Sequence, residues 1–401
     1  MAEWSELPSD VLELIARQLG THSDVLQLHA VCFSWRSALS KRPYRLPCRV
    51  PLLPNEGSDY NFRFNLLKRT IYCLLPASRL WTSSDSNQAS SDGWLIKLEE
   101  DVPGMMRLLY PLTKDQIHPL PSMFPKVMDL SDLQISELGH EYLLQCVKQN
   151  FNPFIDPVKN LYMKNVAFFS AKPIISSPAD INDVFTLLRI HVSGKLAMFK
   201  SGDKKWTILE KLGPDYSDVI CFKGKFYAVN ATGRTAIFDR SATLSSTVFI
   251  KPFAIFPVIS GSKMYLVESE GDLILVDRYD LNGKHCFKVF KFYEGRQEWD
   301  ELQSLDGRLL FLGDGCSFSA SASDFPGCKG KNLCFFTEEF PFGEGGYRFK
   351  GMQVFNLDDG CTGPLASYPG YSKVFWPPPS WVASTSVGIS AQVPLSSTLV
   401  K

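Results

Sequence analysis

FKGKFYAVNATGRTAIFD (Phe222–Asp239) and ISGSKMYLVESEGDLILVD (Ile259–Asp277) decide how this chain folds. Each has a glycine turn, a short run of aromatic and aliphatic residues, a polar loop, and a second run ending in Asp. LDGRLLFLGDG (Leu305–Gly315) repeats the first half. The glycines Gly224, Gly261 and Gly307 align, 37 and 46 residues apart. Trp206 and Trp299 sit in similar runs ahead of two of these units. Runs rich in Phe, Tyr, Val and Ile between Gly, Asp and Asn turns read as strands of hairpins. Recurrence at about 40–50 residues is the period of β-propeller blades. An ordinary set of hairpins would show the same turn chemistry.

The pattern extends both ways. Short strand-like runs such as GWLIKLEE, KLAMFKSGDKKWTIL, CFKVFKFYE and GMQVFNLDDG fill residues 60–381. They predict an antiparallel all-β body, and at that period about 320 residues make six or seven blades. One helix is expected within it, over Leu130–Lys148. Ahead of it, Pro43, Pro47, Pro51 and Pro54 prevent regular helix and predict extended chain, with residues 46–59 as a linker. Residues 382–401 carry one charged side chain and are expected to form a disordered tail. The alternative is a last strand that closes the ring against Phe62–Leu75.

The N-terminus reads differently. Leu7, Val11, Ile15 and Leu19, with Leu12 beside them, form one apolar stripe of a helix that starts near Pro8 and stops at Gly20. Ser23 or Asp24 can cap a second helix. A third holds Val31, Cys32, Trp35, Ala38 and Leu39 and ends before Pro43. Three short helices bury little surface on themselves and leave apolar residues seeking a partner.

Leu7-Pro8, Val11-Leu12, Ile15, Leu19 and Val31-Cys32-Phe33-Ser34-Trp35-Arg36 closely resemble an F-box, which would occupy residues 1–45. Phe33 departs from the pattern, where Lys or Arg is usual. The resemblance implies docking on a Skp-type adaptor through Leu7, Pro8, Val11, Leu12, Ile15, Val31, Cys32 and Trp35. In the body, GWLIKL (Gly93–Leu98), RLLYPLTKDQIHPLP (Arg107–Pro121), the block Trp299–Phe336 and PPPSW (Pro377–Trp381) are similar to the KIB-type, kelch-like propeller domain of plant F-box proteins. That resemblance implies a propeller over residues 60–381 and names no ligand.

Composition and motifs narrow the function. There are 42 basic and 42 acidic residues, so the charge excess of a phosphate-backbone binder is absent. None of the ten cysteines stands in a C-x-x-C pair, which fits reduced thiols. The opening MAEWSELPSD has neither the basic nor the apolar region of a secretory leader, and a soluble protein of the nucleus or cytoplasm is expected. His22, His29, His118, His140, His191 and His285 show no metal-ligand spacing. Cys328 and Cys334 are too isolated for zinc, and GEGGY (Gly343–Tyr347) precedes no helix that would cradle phosphate. No cofactor, metal or catalytic group is expected.

The expected function is substrate recognition in an SCF-type (Skp–cullin–F-box) ubiquitin ligase. The adaptor links the chain to cullin and RING subunits, and the propeller binds an unknown protein substrate. The alternative is a non-catalytic propeller module whose F-box is vestigial or cullin-independent and which sequesters or inhibits its target. Both are interaction proteins without reaction chemistry.

Overall fold

The structure is a computed structural model. It describes residues 6–18, 31–38, 46–50, 63–76, 93–102, 105–117, 120, 124–125, 127–129, 133–147, 166–170, 185–239, 247–250, 263–325, 328–341, 348–383 and 392–394. Two helices come first, α1 (Ser9–Gln18) and α2 (Phe33–Ala38). The middle helix expected near Ser23 lies outside the described residues.

Five β units follow. The first holds β1 (Leu46–Val50), β2 (Arg63–Pro76), β3 (Trp94–Val102), β4 (Met105–Leu109) and β6 (Leu133–Val147); β5 (Val127–Asp129) lies between β4 and β6 in sequence but outside their sheet. The second holds β7 (Val166–Ser170), β8 (Phe185–Ile190), β9 (Leu196–Lys200) and β10 (Thr207–Ile208). The third holds β11 (Tyr216–Phe222), β12 (Lys225–Asn230), β13 (Thr235–Phe238) and β14 (Val248–Ile250). The fourth holds β15 (Lys263–Ser269), β16 (Asp272–Leu281), β17 (Lys284–Tyr293) and β18 (Glu298–Leu302). The fifth holds β19 (Arg308–Leu312), β20 (Ser317–Ser321), β21 (Leu333–Pro341), β22 (Arg348–Asn356) and β23 (Cys361–Pro364). Helix α3 (Pro369–Ser372) and β24 (Gln392–Pro394) come last.

The strands β7, β11, β15, β20 and β6 neighbour one another in that order, and β6 pairs back to β7 through Tyr142 and Val166. This is the ring of innermost strands of a β-propeller-type domain. Polar side chains tie the ring. Asp218 on β11 accepts from its neighbour's N–H (Val219, 2.9 Å) and from Leu266 N–H on β15 (2.8 Å). Ser319 on β20 donates to the Glu268 carbonyl at 3.2 Å.

Sheet-on-sheet packing explains the uninterrupted apolar runs. In FYAV of β12, Phe226 and Ala228 face the second unit while Tyr227 and Val229 face the fourth. In MYLV of β15, Met264 and Leu266 face the third unit, and Tyr265 and Val267 face the fifth. A strand covered on both faces needs no polar alternation. The first and second units differ: they meet edge to edge, in one nine-stranded sheet.

Several expectations change. The described residues hold five four- or five-stranded units, fewer than six or seven, because long strands and loops enlarge each unit. The repeat was also out of phase. Gly224 and Gly307 precede the strand next to the innermost one, whereas SKMYLV after Gly261 opens the innermost strand itself. Trp206 and Trp299 do correspond, since both belong to the outermost strand region of their units. The body is not purely antiparallel, because β19 and β21 run parallel.

Residues 133–147, expected as helix, are the strand β6. It pairs with β2 from Arg63↔Val147 to Pro76↔Leu133, and the register slips between Ile71 and Tyr72. That slip places a bulge at Leu138–Gly139. At Gly139 a Cβ would stand 2.9 Å from Phe318 Cβ, so glycine lets β6 approach β20.

Part of the expected linker, Leu46–Val50, is a strand paired with β2; residues 51–59 lie outside the described residues. The tail boundary also moves. Val382 is buried, and β24 pairs with β5 rather than with Phe62–Leu75. The gap between the fifth and first units is filled by residues 369–383. Tyr371, Val374 and Phe375 join a core containing Ile71, Leu95, Phe311 and Phe335. Val374 O accepts from Leu95 N–H at 2.8 Å, and Tyr371 Oη donates to Gly330 O at 2.8 Å. Trp381 meets Trp94 edge-on at 6.5 Å.

Candidate functional site

The N-terminal helices carry the candidate docking surface. Pro8 O accepts the Leu12 N–H at 3.1 Å, which closes the first turn of α1, and Asp10 suits its positive end. Cys32 Sγ accepts from the Trp35 N–H at 3.5 Å at the start of α2. Leu12 and Trp35 are buried against each other, with Leu7, Ile15 and Cys32 packed around them. Burying such side chains stabilises by about 1.5–3 kcal/mol each, little for an independent unit.

The eight residues expected to dock therefore divide. Leu12 and Trp35 form the small core. Leu7, Val11, Ile15 and Cys32 are half-buried. Pro8 is exposed, and Val31 is 57% exposed, the largest value among the exposed large hydrophobics of the described residues. Pro8, Val11 and Val31 are apolar and accessible, a chemistry suited to another protein's apolar helices. Phe33 lies in α2, but its side chain is outside the described residues.

Sequence reading missed a buried ionic network in the first unit. Arg69 Nε donates to Glu99 Oε2 at 2.6 Å, and Arg69 and Lys97 each reach Glu141 Oε1 at 3.3 Å. Lys97 also donates to Thr113 O at 2.9 Å, and Arg107 lies 3.6 Å from Glu99. Gly315 abuts the second oxygen of Glu141; a Cβ there would stand 2.3 Å from it. The network thus seats the 313–316 turn of the fifth unit on the first. Its signal in the sequence was a charge inside each apolar run: Arg69 in LLKRTIY, Lys97 in WLIKL and Glu141 in HEYLL. Removing one member leaves an uncompensated buried charge, at about 3–5 kcal/mol.

Other titratable groups tie turns and units together. His285 sits between Asp280 at Nδ1 and Glu338 at Nε2 (2.7 Å), joining the fourth and fifth units. His191 Nδ1 bonds Ser193 Oγ at 2.7 Å within a turn. At Glu137 burial raises the carboxyl, but the His140 hydrogen bond and Lys68 outweigh it and the net shift is downward. Burial pushes the Cys73, Cys221 and Cys334 thiols up to about 12, so they stay protonated and are poor nucleophiles. Among the described residues no three His, Cys, Asp or Glu side chains are grouped to hold a metal ion. His22, His29 and His118 lie outside the described residues.

Comparisons with known proteins support the propeller. Residues 63–356 match the family model of the KIB1-4 beta-propeller. Over 96% of its length the chain is 35% identical to F-box protein SKIP23 of Arabidopsis thaliana, covering 96% of that protein. It is 31% identical to F-box protein At2g17036 of the same plant, again over 96% of each. A third Arabidopsis relative, putative F-box/kelch-repeat protein At5g24040, is 28% identical over 96% of this chain and its own full length (100%). A propeller of this family behind a pair of apolar N-terminal helices, aligned end to end with such relatives, places the chain: it belongs to the KIB1-4 β-propeller family and is a plant F-box protein.

Proposed function

We propose that the chain is the substrate-recognition subunit of an SCF-type ubiquitin ligase. Leu7, Pro8, Val11, Leu12, Ile15, Val31, Cys32 and Trp35 form the end that meets the Skp-type adaptor. Leu12 and Trp35 act from within, by holding the helices together, and Pro8, Val11 and Val31 act by contact. The adaptor brings in cullin and RING subunits. The propeller holds a protein target nearby, and the chain contributes proximity rather than a reacting group, by raising effective concentration. It would act in the nucleus or cytoplasm, in keeping with its free thiols.

The observation that carries this reading is Val31, exposed next to Cys32, which packs on the buried Leu12–Trp35 pair, in a chain aligned end to end with F-box relatives. An adaptor interface of ordinary size buries about 1,200–2,000 Å², with a few apolar anchors carrying most of the affinity. Co-expression with a Skp-type adaptor and a cullin tests it: all three should purify as one complex. Recovery of the chain without adaptor would refute the reading, and recovery with adaptor but without cullin would favour sequestration of the target instead.

A further inference from the structure

We propose that the end of the propeller formed by the turns of the second and third units is a protein-docking surface. Its anchors are Arg234, Phe249 and Val192, and it takes a target segment that carries a carboxylate beside an apolar side chain. This deepens the reading of the chain as a recognition subunit and rests on it.

The turns of the two units are contiguous. Gly194 O, in the β8–β9 turn, accepts from Tyr216 N–H at 3.0 Å. Asp215 O accepts from Ala231 N–H, in the β12–β13 turn, at 3.1 Å. On this end Val192 is 51% exposed and Phe249 is 39% exposed. The Arg234 guanidinium lies over the Phe249 ring, 4.1 Å from its centroid. A guanidinium held over an aromatic face can still offer its N–H groups to a carboxylate. Arginine and aromatic side chains of this kind dominate protein interfaces.

Two features bear on Arg234. First, it makes no ion pair with any described residue, although the exposed Asp215 belongs to the same end. Lys195 at this end is paired with Glu210, and at the opposite end Lys223 pairs with Glu294 and Arg308 with Glu270. Second, its backbone is already fixed. Asn230 Oδ1 accepts from Thr232 N–H and Arg234 N–H, both at 3.0 Å, and from Thr232 Oγ1 at 2.8 Å. A turn ordered before binding loses little entropy on binding. An exposed cation held in place beside apolar surface fits an acidic and apolar partner segment.

A random peptide library displayed on phage, panned against the purified full chain, tests this. The enriched peptides should share an Asp or Glu next to an apolar residue. For the strongest peptide, Arg234→Glu should weaken binding by about tenfold or more, and Phe249→Ala similarly. Arg296→Glu, at the opposite end, should leave affinity within about twofold. Arg234→Lys keeps the charge and the surface position, so a several-fold loss there, with an unchanged melting temperature, separates lost stacking from misfolding. Failure to enrich any peptide, a motif without an acid, or equal binding to Arg234→Glu would overturn the proposal. Adaptor co-purification on the same Arg234→Glu protein keeps the two readings apart. Adaptor retained with peptide lost supports the surface; adaptor absent from the wild-type protein sinks the ligase reading and leaves the peptide result standing.

Discussion

Replacing Tyr371 tests how the ring is closed. Tyr371 lies beyond residue 356, where the family match ends, yet it is buried between the fifth and first units. Its ring contacts Phe335 edge-on at 5.2 Å and Phe325 at 6.2 Å. Removing a buried aromatic to Ala costs about 3–5 kcal/mol, and the lost hydroxyl bond to Gly330 O adds about 1 kcal/mol at most. Gly330 is exposed, so water replaces that bond in Tyr371→Phe, which should lose only about 0.5 kcal/mol. Tyr371→Ala should therefore lose about 3–5 kcal/mol, a large share of a typical domain stability of about 5–15 kcal/mol. Urea unfolding followed by tryptophan fluorescence measures both variants. Amide exchange should rise first in β3 and β21, which residues 369–383 cover. A loss below about 1 kcal/mol in Tyr371→Ala would show that this segment does not close the ring.

The remaining predictions concern the ring's other weak points. Gly139→Ala drives a Cβ to 2.9 Å from Phe318 Cβ between two innermost strands, and should cost about 1–3 kcal/mol, read as a fall in melting temperature. Burial pushes Asp277 up to about 6 against the opposing pull of Lys288, and its Oδ1 has no hydrogen-bond partner among the described residues. A carboxyl raised in the folded state holds its proton longer there, so its burden on stability is absent below about pH 4, grows towards pH 6 and is complete above it. Asp277→Asn should then stabilise at about pH 7.5 by about 1–2 kcal/mol, after discounting for solvent screening, with the gain shrinking as pH falls. An equal gain at all pH values would show that charge is not the cause.

The strand-rich body was legible because residues such as Phe226 and Tyr227 are covered on both faces, and their apolar runs stand out between turns. The error at Leu133–Val147 has a specific cause. The bulge at Leu138–Gly139 shifts the inward–outward alternation halfway along, so neither half extends the other's period. The partner strand β2 lies some 70 residues away in the sequence, where no local pattern records the pairing. Ring closure was missed for a related reason. PPPSW was visible as a motif, but prolines argue against a strand, and the segment closes the gap with side chains instead. The docking residues were legible as a set, while their split into core and surface depends on which face Trp35 covers. Arg234 and Phe249 were not singled out, since their contact joins the β12–β13 turn to β14, beyond a loop that separates β13 from β14.

The central claim is that exposed apolar residues of the N-terminal helices bind a Skp-type adaptor. Val31→Asp tests it most directly, since Val31 is 57% exposed and the change should alter the stability of the free chain by no more than about 0.5 kcal/mol. Burying a carboxylate at an apolar interface costs about 2 kcal/mol or more, so affinity for the adaptor, measured by titration calorimetry, should fall about 30-fold or more at an unchanged melting temperature. Wild-type protein that fails to bind the adaptor, or Val31→Asp that binds as tightly as wild type, would contradict the account.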